Sequence, residues 1–268
     1  MKIIGEKING TRKQVAKAIT ERDADFIKTL AQKQAEAGAT WLDINAGTHP
    51  NQEAEDLIWL IETVQAVVDT SLCLDSANPK ALAKAIKAVN KTPMINSISG
   101  EPERLEGILP LVAEHGCQVI ALAMGGKKMP DSMEARVDII HKVIEATRAA
   151  GVPDEYIYVD PLAMTISTNI QSGMIACDTI RAVHRTYPDV HFTIGLSNIS
   201  FGLPARSYIN RTFLTLAMAA GLDSAILDPL DRDLQAAILS TALVLGRDRH
   251  CLNYTRAYRA GVFGSSHK

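Results

Sequence analysis

The chain repeats one pattern eight times: a short apolar run is followed by a helix-like segment, at a spacing of roughly 30 residues. The runs span residues 2–8, 41–46, 71–76, 93–99, 118–124, 156–161, 191–198 and 224–229. They are continuously apolar rather than alternating, which is typical of parallel strands that are buried on both faces. The pattern therefore predicts eight βα units and an α/β fold built on a parallel sheet.

The predicted helices occupy the segments between these runs. They span residues 23–37, 54–69, 79–89, 102–115, 133–150, 170–187, 207–220 and 232–246. Glycine often ends a helix because it adopts the left-handed conformation without strain, and proline or a short polar residue often begins one. Helix ends are accordingly predicted at Gly38, Gly116, Gly151 and Gly221, and helix starts at Pro79, Pro102 and Asp131–Ser132.

Eight such units fit a closed (β/α)8 barrel, a fold that uses about 250 residues; this chain has 268. An open doubly wound sheet is the alternative, but it normally places a glycine-rich turn after its first strand. Here residues 9–12 read Asn-Gly-Thr-Arg, and the chain contains neither G-x-G-x-x-G nor a P-loop. No linker or low-complexity stretch divides the chain, so we expect one domain over residues 1–268. The basic segment 247–268 has no assigned role.

Composition narrows the possible partners. The net charge is −2 and the pI is near 6.4, so electrostatic binding to nucleic acid or to an anionic membrane is not expected. The four cysteines lie far apart and form no C-x-x-C pair, which argues against a disulfide framework and a structural zinc site. No apolar run reaches membrane-spanning length. We therefore expect a soluble, cytoplasmic protein with no metal site and no membrane partner.

Acidic or amide side chains stand at the ends of seven of the eight runs, and only the fifth, ending near Met124, has none. These side chains are Glu6, Asn9, Asp43, Asn45, Asp75, Asn96, Asp160, Asn198 and Asp228. The C-terminal ends of parallel strands share one face of a barrel, so the side chains should converge there. Because buried acceptors and amides are costly to desolvate without partners, the set predicts a site for a small, flat, nitrogen-rich ligand.

Each of these residues also has a purely structural interpretation. A single aspartate is common as a helix N-cap, and Asn198 could be a turn residue. Lys127 and Lys128, in the glycine-containing loop after the fifth run, are either solvated charges or contacts for an acidic group. The functional interpretation is favoured for the strand-end set as a whole, because barrel active sites lie on that face.

Seven short segments resemble a known family. They are IGEKING (4–10), LDINAG (42–47), CLDS (73–76), MINSIS (94–99), DP (160–161), GLSNISFGLP (195–204) and INRTFL (209–214). In order and spacing they resemble the pterin-binding methyltransferases, which move the methyl group of N5-methyltetrahydrofolate to or from the cobalt of a corrinoid protein. The similar members are the methyltetrahydrofolate:corrinoid/iron–sulfur protein methyltransferase and the folate domain of cobalamin-dependent methionine synthase. The resemblance covers nearly the whole chain.

The resemblance implies a barrel, usually a homodimer, that holds the pterin in a polar cavity at the strand C-termini. By motif, Asp75, Asn96 and Asp160 correspond to pterin contacts, and Asn198 corresponds to the amide near N5. Asp75, Asp160 and Asn198 are the predicted catalytic residues. The other residues predicted to line the substrate site are Glu6, Asn9, Asp43, Asn45, Gly195, Ser197, Phe201, Arg206 and Asp228.

The implied substrate is tetrahydrofolate or 5-methyltetrahydrofolate, and the implied cofactor is a cobalamin (corrinoid) carried by a partner protein, since this chain shows no corrinoid-binding module. Methyl transfer from N5 needs a proton or a strong hydrogen bond at that nitrogen as the C–N bond breaks. No histidine or lysine is expected among the strand ends as a general acid. We therefore expect a hydrogen-bond network that includes Asn198 to activate N5.

Two other functions remain open. A dihydropteroate synthase-like enzyme would use the same fold and a pterin, but it normally carries a lysine on the penultimate strand, where HFTIGLSN has none. A non-catalytic pterin-binding protein would bind folate without transferring a methyl group.

Overall fold

Eight parallel strands form a nearly closed barrel with helices between them, as the sequence predicts. The structure is a computed structural model that describes residues 1–126 and 128–263; Lys127 and residues 264–268 lie outside the described residues. The strands are β1 (Lys2–Asn9), β2 (Trp41–Asn45), β3 (Ser71–Asp75), β4 (Met94–Ser99), β5 (Gln118–Leu122), β6 (Ile157–Asp160), β7 (His191–Phe192) and β8 (Ser224–Leu227). Their order in the sheet is β7-β6-β5-β4-β3-β2-β1-β8, so β1 and β8 pair directly.

The seam between β7 and β8 is the weakest part of the sheet, because β7 has only two residues. The Ile226 amide donates to the Ile194 carbonyl over 2.9 Å, and the Ser224 hydroxyl donates to the Phe192 carbonyl over 2.9 Å. Asp223 accepts from the Phe192 amide at 2.9 Å and contacts Nδ1 of His191 at 2.5 Å. Side chains thus hold the edge where backbone pairing is sparse.

The helices cover the outside of the barrel. They are α1 (Lys13–Glu21), α2 (Ala24–Glu36), α3 (Glu53–Gln65), α4 (Pro79–Ala85), α5 (Pro102–His115), α6 (Met133–Ala149), α7 (Ser172–Thr186), α8 (Arg206–Ala220), α9 (Arg232–Val244) and α10 (Leu252–Arg259). The predicted boundary signals are confirmed. Asn78 and Ser132 cap α4 and α6 through their side chains, and all four predicted helix-ending glycines have positive φ.

Five elements differ from the sequence prediction. Helix α1 was not predicted, although its buried Val15, Ala18 and Ile19 follow helical spacing. The predicted strand 191–198 ends at Phe192, and a 3₁₀ segment spans Leu196–Ser200. The predicted helix 79–89 is α4 followed by a 3₁₀ turn at Ile86–Ala88. Helix α3 ends at Gln65 rather than at residue 69, and helix α10 was not predicted within the segment 247–268. Outside these places the predicted boundaries are correct to within about two residues, the usual uncertainty of such boundaries.

The barrel interior is filled by apolar side chains at its lower end. Alternate residues of each strand point inward, and six of them form one buried cluster: Ile4, Trp41, Cys73, Met94, Ile120 and Tyr158. The Lys2 ammonium closes the bottom by donating to the Tyr158 hydroxyl over 2.7 Å. Two residues further along, the inward position is polar on five of these six strands, and β5 carries Leu122 there. This change of layer makes the upper end of the barrel a polar site.

Candidate active site

The inward position above the apolar layer carries a polar side chain on six strands. Those residues are Glu6, Asp43, Asn45, Asp75, Asn96, Asp160 and Asp228. The strand registers agree with this placement, since Asp43 lies opposite Cys73 and Asp75 lies opposite Asn96. The predicted convergence of strand-end groups is therefore present in the structure.

Two amide–carboxylate pairs organise the part of the site built by β2, β3 and β4. The Asn45 amide nitrogen donates to Oδ2 of Asp75 over 2.7 Å, and the Asn96 amide nitrogen donates to Oδ1 of Asp43 over 3.2 Å. Oδ1 of Asp75 and Oδ1 of Asn96 accept no hydrogen bond from the part of the chain that the structure describes. Both oxygens are left available as acceptors for a ligand.

Burial raises the pKa of both carboxyl groups in these pairs. For Asp43, which is 2% exposed, burial is the larger cause and the charge of Asp75 is the next. Burial also raises the pKa of Asp75, opposed by the Asn45 hydrogen bond and by the charge of Arg104. Two carboxylates this close together do not ionise independently, so a ligand that supplies N–H donors would relieve an unfavourable arrangement.

A second carboxylate group lies at the ends of β1 and β8. Arg12 donates to Glu6 over 2.8 Å, and the Lys7 ammonium lies 2.5 Å from Asp228. Burial raises the pKa of Glu6 against the charge of Arg12. Lys7, inside the first apolar run, lies beside these carboxyl groups; the sequence analysis expected no lysine there as a general acid. Its ammonium is held in the ion pair with Asp228.

A cavity of about 300 Å³ opens on the other side of the site, at the ends of β5 and β6. It is lined by Leu122, Met129, Asp160, Leu162, Ala163, Met164, Thr165, Asn198 and Phe201. Asp160 is buried at its base, and burial raises the pKa of its carboxyl to about 6 against the backbone N–H groups of Leu162 and Gly195 and the charge of Arg136. Within the cavity, Asp160 therefore exchanges a proton close to neutral pH.

Asn198 reaches this cavity from the 3₁₀ segment after β7. A Cβ atom on Gly195 would lie 2.9 Å from the amide nitrogen of Asn198, so glycine at this position leaves room for that amide to fold back over the chain. No described residue hydrogen-bonds the Asn198 side chain, which is exposed toward the mouth. The amide is thus placed beside Asp160 with its donors and acceptor free for a ligand.

The loop that carries Asn198 is fixed from several sides. Arg206 donates to the Ser197 carbonyl over 2.5 Å and to the Ser200 hydroxyl over 3.0 Å. The Thr165 hydroxyl donates to the Phe201 carbonyl over 2.7 Å, which ties the loop to the segment after β6. The Phe201 ring is nevertheless 68% exposed at the mouth. The loop presents an aromatic ring on a rigid backbone.

The predicted site residues fall into two groups. Those brought together at the C-terminal end of the barrel are Glu6, Asp43, Asn45, Asp75, Asn96, Asp160, Gly195, Asn198, Phe201 and Asp228. The other three have local contacts within the protein. Oδ1 of Asn9 accepts from Thr11, and the Ser197 carbonyl and the Ser200 hydroxyl accept from the Arg206 guanidinium. Exposed Lys128 lies 3.8 Å from Asp131, and Lys127 is outside the described residues.

Two arginines near the site were not identified from the sequence. Arg104 lies beside Asp75, and its guanidinium approaches the Ser97 carbonyl at 3.5 Å. Arg136 is 1% exposed and donates to the carbonyls of Pro161 and Leu162, both at 2.8 Å. A signal for Arg136 did exist, because it stands on the apolar face of α6, four residues before Ile140. Arg136 fixes the segment that follows Asp160.

Two negative findings apply to residues 1–126 and 128–263. No group of three or more histidine, cysteine, aspartate or glutamate side chains there is arranged to hold a metal ion. None of the helices in that part of the chain combines the length and the apolar character needed to cross a bilayer.

Comparison with known proteins identifies relatives along the whole chain. The family model described as "Pterin binding enzyme" matches residues 5–228. A methylcorrinoid:tetrahydrofolate methyltransferase from Eubacterium limosum is 41% identical over 266 residues, which cover 98% of this chain and 98% of the relative. Methionine synthase from Mycobacterium leprae is 31% identical over 237 residues, covering 84% of this chain but 20% of that larger protein.

Solved structures show the same fold at lower identity. Dihydropteroate synthase from Stenotrophomonas maltophilia superposes with a TM-score of 0.68 at 20% identity, covering 93% of each chain. The Xanthomonas albilineans enzyme gives 0.68 at 19% identity, covering 91% of this chain and 92% of that one. These structures support the barrel fold, while the family model and the full-length relative show the family. This chain belongs to the pterin-binding enzyme family.

Proposed function

We propose that this protein transfers a methyl group between N5 of tetrahydrofolate and the cobalt of a corrinoid held by a partner protein. The observation that carries the proposal is the set of acceptors at one end of the barrel: buried Asp160 and half-buried Asp75 and Asn96, with the Asn198 amide beside Asp160. The full-length relative from Eubacterium limosum, named for this reaction, supports the same assignment.

The acceptor set fits a reduced pteridine. Its 2-amino-4-oxo ring offers several N–H donors along one edge and a carbonyl acceptor beside them. Asp75 and Asp160 supply carboxylate oxygens for the donors, and Asn96 offers an acceptor and a remaining N–H on one amide. A flat ring that lacks those N–H groups would leave buried acceptors unpaired, which costs about 1–3 kcal/mol for each. Discrimination between ligands therefore follows from the polarity of the site.

Asn198 is proposed to act at N5. Departure of N5 from the methyl group requires that nitrogen to gain a proton or a strong hydrogen bond, and the Asn198 amide lines the cavity together with Asp160. An amide can donate in one step and accept in the reverse step without changing charge. Asp160, with a pKa of about 6, is the neighbouring group that can hold or release a proton. Stabilisation that grows as the bond breaks raises the rate.

The corrinoid supplies or accepts the methyl group at its cobalt, and it would reach the substrate through the mouth. Phe201 and Thr165 lie at the rim, and the fixed loop 197–206 holds their spacing. The residues of this chain bind the folate, orient N5 toward the opening and close the base of the cavity. We place the corrinoid on a partner protein because residues 1–263 are accounted for by the barrel and its helices, apart from undescribed Lys127.

The decisive experiment supplies purified protein with 5-methyltetrahydrofolate and a reduced corrinoid protein, and it compares wild type with Asn198→Ala. We expect kcat of the variant to fall roughly 100-fold, by analogy with removing one transition-state hydrogen-bond donor. The Kd for 5-methyltetrahydrofolate should stay within about threefold, because the ring contacts remain. Asn90→Ala, at an exposed asparagine before β4 at the opposite end, is the matched control.

The possible results distinguish methyl transfer from the two alternative functions. Folate binding without methyl transfer by the wild type would identify a non-catalytic pterin-binding protein. Condensation of a pterin diphosphate with p-aminobenzoate would identify a dihydropteroate synthase activity, which the absence of lysine in residues 191–198 disfavours. Unchanged turnover of Asn198→Ala would remove the proposed role of that amide.

The proposal includes three further points. One pterin-binding domain over residues 1–268 is expected because no linker divides the sequence, a cytoplasmic location is expected from the composition, and a homodimer is implied by the family resemblance. Sedimentation of the purified protein tests the homodimer, and a monomer at micromolar concentration would contradict it.

A further inference from the structure

Asp43 is the most deeply buried carboxyl group of the site, and it does not line the cavity. Its side chain lies behind Asn96, whose amide nitrogen donates to Oδ1 of Asp43 over 3.2 Å. The thiol of Cys73, its neighbour across the sheet, hydrogen-bonds the same carboxyl group. Asp43 is 2% exposed, so it contacts other protein groups rather than the open mouth.

An asparagine side chain has two nearly isosteric orientations that exchange its donor and its acceptor. Only one of them satisfies Asp43 when Oδ1, the carboxyl oxygen that faces Asn96, carries no proton, since the amide oxygen of Asn96 would then leave two acceptors in contact. The hydrogen bond therefore turns Nδ2 of Asn96 toward Asp43 and leaves Oδ1 without a donor from the described residues. The hydrogen bond to Asp43 therefore fixes the orientation of the Asn96 amide in the ligand-free protein.

We propose that Asp43 is a positioning residue that acts through Asn96, so that Oδ1 of Asn96 accepts an N–H group of the pteridine. This inference rests on the proposed function, because it names the atom of that same site that accepts a hydrogen bond from the ligand. Without an acceptor at position 43, the Asn96 amide is free to present its NH₂ group to the ligand N–H, which opposes binding.

The state of Asp43 suggests a conservative replacement. Burial and the nearby charge of Asp75 raise its pKa well above the ordinary value, which favours the neutral carboxyl group. With the proton on Oδ2, a neutral carboxyl group still accepts from Asn96 through Oδ1, and an amide whose oxygen takes the place of Oδ1 does so as well. Asp43→Asn should therefore keep Asn96 in its orientation, whereas Asp43→Ala and Asp43→Leu remove the acceptor.

The test is a double-mutant cycle on the Kd for 5-methyltetrahydrofolate, measured by calorimetry on wild type, Asp43→Ala, Asn96→Ala and the double variant. Asp43→Ala should raise Kd roughly 5- to 30-fold, and Asp43→Asn should stay within about threefold of wild type. In the Asn96→Ala background the same Asp43→Ala change should have no further effect, because the residue through which Asp43 acts is gone. Asp43→Leu, with the same number of side-chain heavy atoms, repeats the cycle if the alanine variant does not fold.

The outcomes distinguish this inference from the proposed function. A wild-type protein that does not bind 5-methyltetrahydrofolate contradicts the proposed function itself. Tight binding by wild type together with additive effects of the two changes, or with no effect of Asp43→Ala, overturns only the role of Asp43. In turnover with the corrinoid protein, Asp43→Ala should raise KM with little change in kcat, unlike Asn198→Ala.

Discussion

At the residue scale, the site contains carboxyl groups whose burial lowers the stability of the ligand-free protein. Asp160 is buried, and its carboxyl group has a pKa of about 6 instead of 3.8. Asp43 and Asp75 also have raised pKa values because burial disfavours their charges. Groups that destabilise the ligand-free protein are a common property of binding sites, because the cost is recovered when the ligand supplies partners. Stability and binding should therefore respond in opposite directions to the same substitution.

Asp160→Asn tests this trade-off. Between pH 3.8 and about 6 the folded carboxyl group binds more protons than the unfolded one, so its contribution to stability falls as pH rises through that window. Above pH 6 the cost is constant. The ligand-free variant should be more stable than wild type by about 1–2 kcal/mol at pH 7.5, with the difference shrinking toward pH 4. Urea unfolding at several pH values measures the effect, and calorimetry should show weaker folate binding at pH 7.5.

The control for this prediction is Asp131→Asn, a change at an exposed aspartate outside the cavity. It should alter stability by less than about 0.5 kcal/mol at every pH. A stability difference for Asp160→Asn that does not vary between pH 4 and pH 7.5 would contradict the assignment of the raised pKa to Asp160.

At the element scale, the loop after β7 shows why a short segment can matter more than a long strand. β7 stops after two residues, and the chain then turns through Leu196–Ser200 to bring Asn198 to the cavity. Gly195 permits the close approach of the Asn198 amide, and Arg206 holds the loop through Ser197 and Ser200. A regular strand to residue 198 would have carried Asn198 past the mouth. The departure from the predicted strand therefore coincides with the proposed catalytic residue.

Arg206→Ala should loosen this loop without removing any ring contact of the folate. We expect kcat for methyl transfer to fall roughly tenfold, because Asn198 loses its fixed position, which corresponds to about 1.4 kcal/mol. The Kd for 5-methyltetrahydrofolate should change less than threefold. Hydrogen exchange of residues 196–205 should increase. Arg211→Ala on the same helix, which removes the 3.0 Å ion pair with Asp233, is the matched control and should leave all three measurements unchanged. If Arg206→Ala kept the wild-type kcat while residues 196–205 exchanged faster, the rigidity of the loop would not be required for methyl transfer.

At the scale of the whole molecule, the barrel and the face of its site were predictable from the sequence, while the pairing inside the site was not. The apolar runs and their polar ends establish eight parallel strands and a polar mouth, because inward positions two residues apart lie in successive layers. The register between neighbouring strands decides which amide hydrogen-bonds to which carboxyl group. For that reason Asn45–Asp75 and Asn96–Asp43 emerge only in three dimensions. Arg206 was expected to contact the substrate, whereas its guanidinium is engaged by two loop groups.

The closure of the barrel is also a property of the whole molecule, and it gives the last prediction. At the seam between β7 and β8, Asp223 replaces missing backbone pairing by accepting from the Phe192 amide and contacting His191. Asp223→Ala should lower the free energy of unfolding by about 1–2 kcal/mol, because a backbone N–H loses its acceptor. The folded variant should keep the wild-type Kd for 5-methyltetrahydrofolate, since Asp223 precedes β8 at the end opposite the site. Asp189→Ala, at an exposed turn residue just before β7, is the control in urea unfolding. Equal stability of the Asp223 and Asp189 variants would mean that the seam is held by its backbone contacts alone.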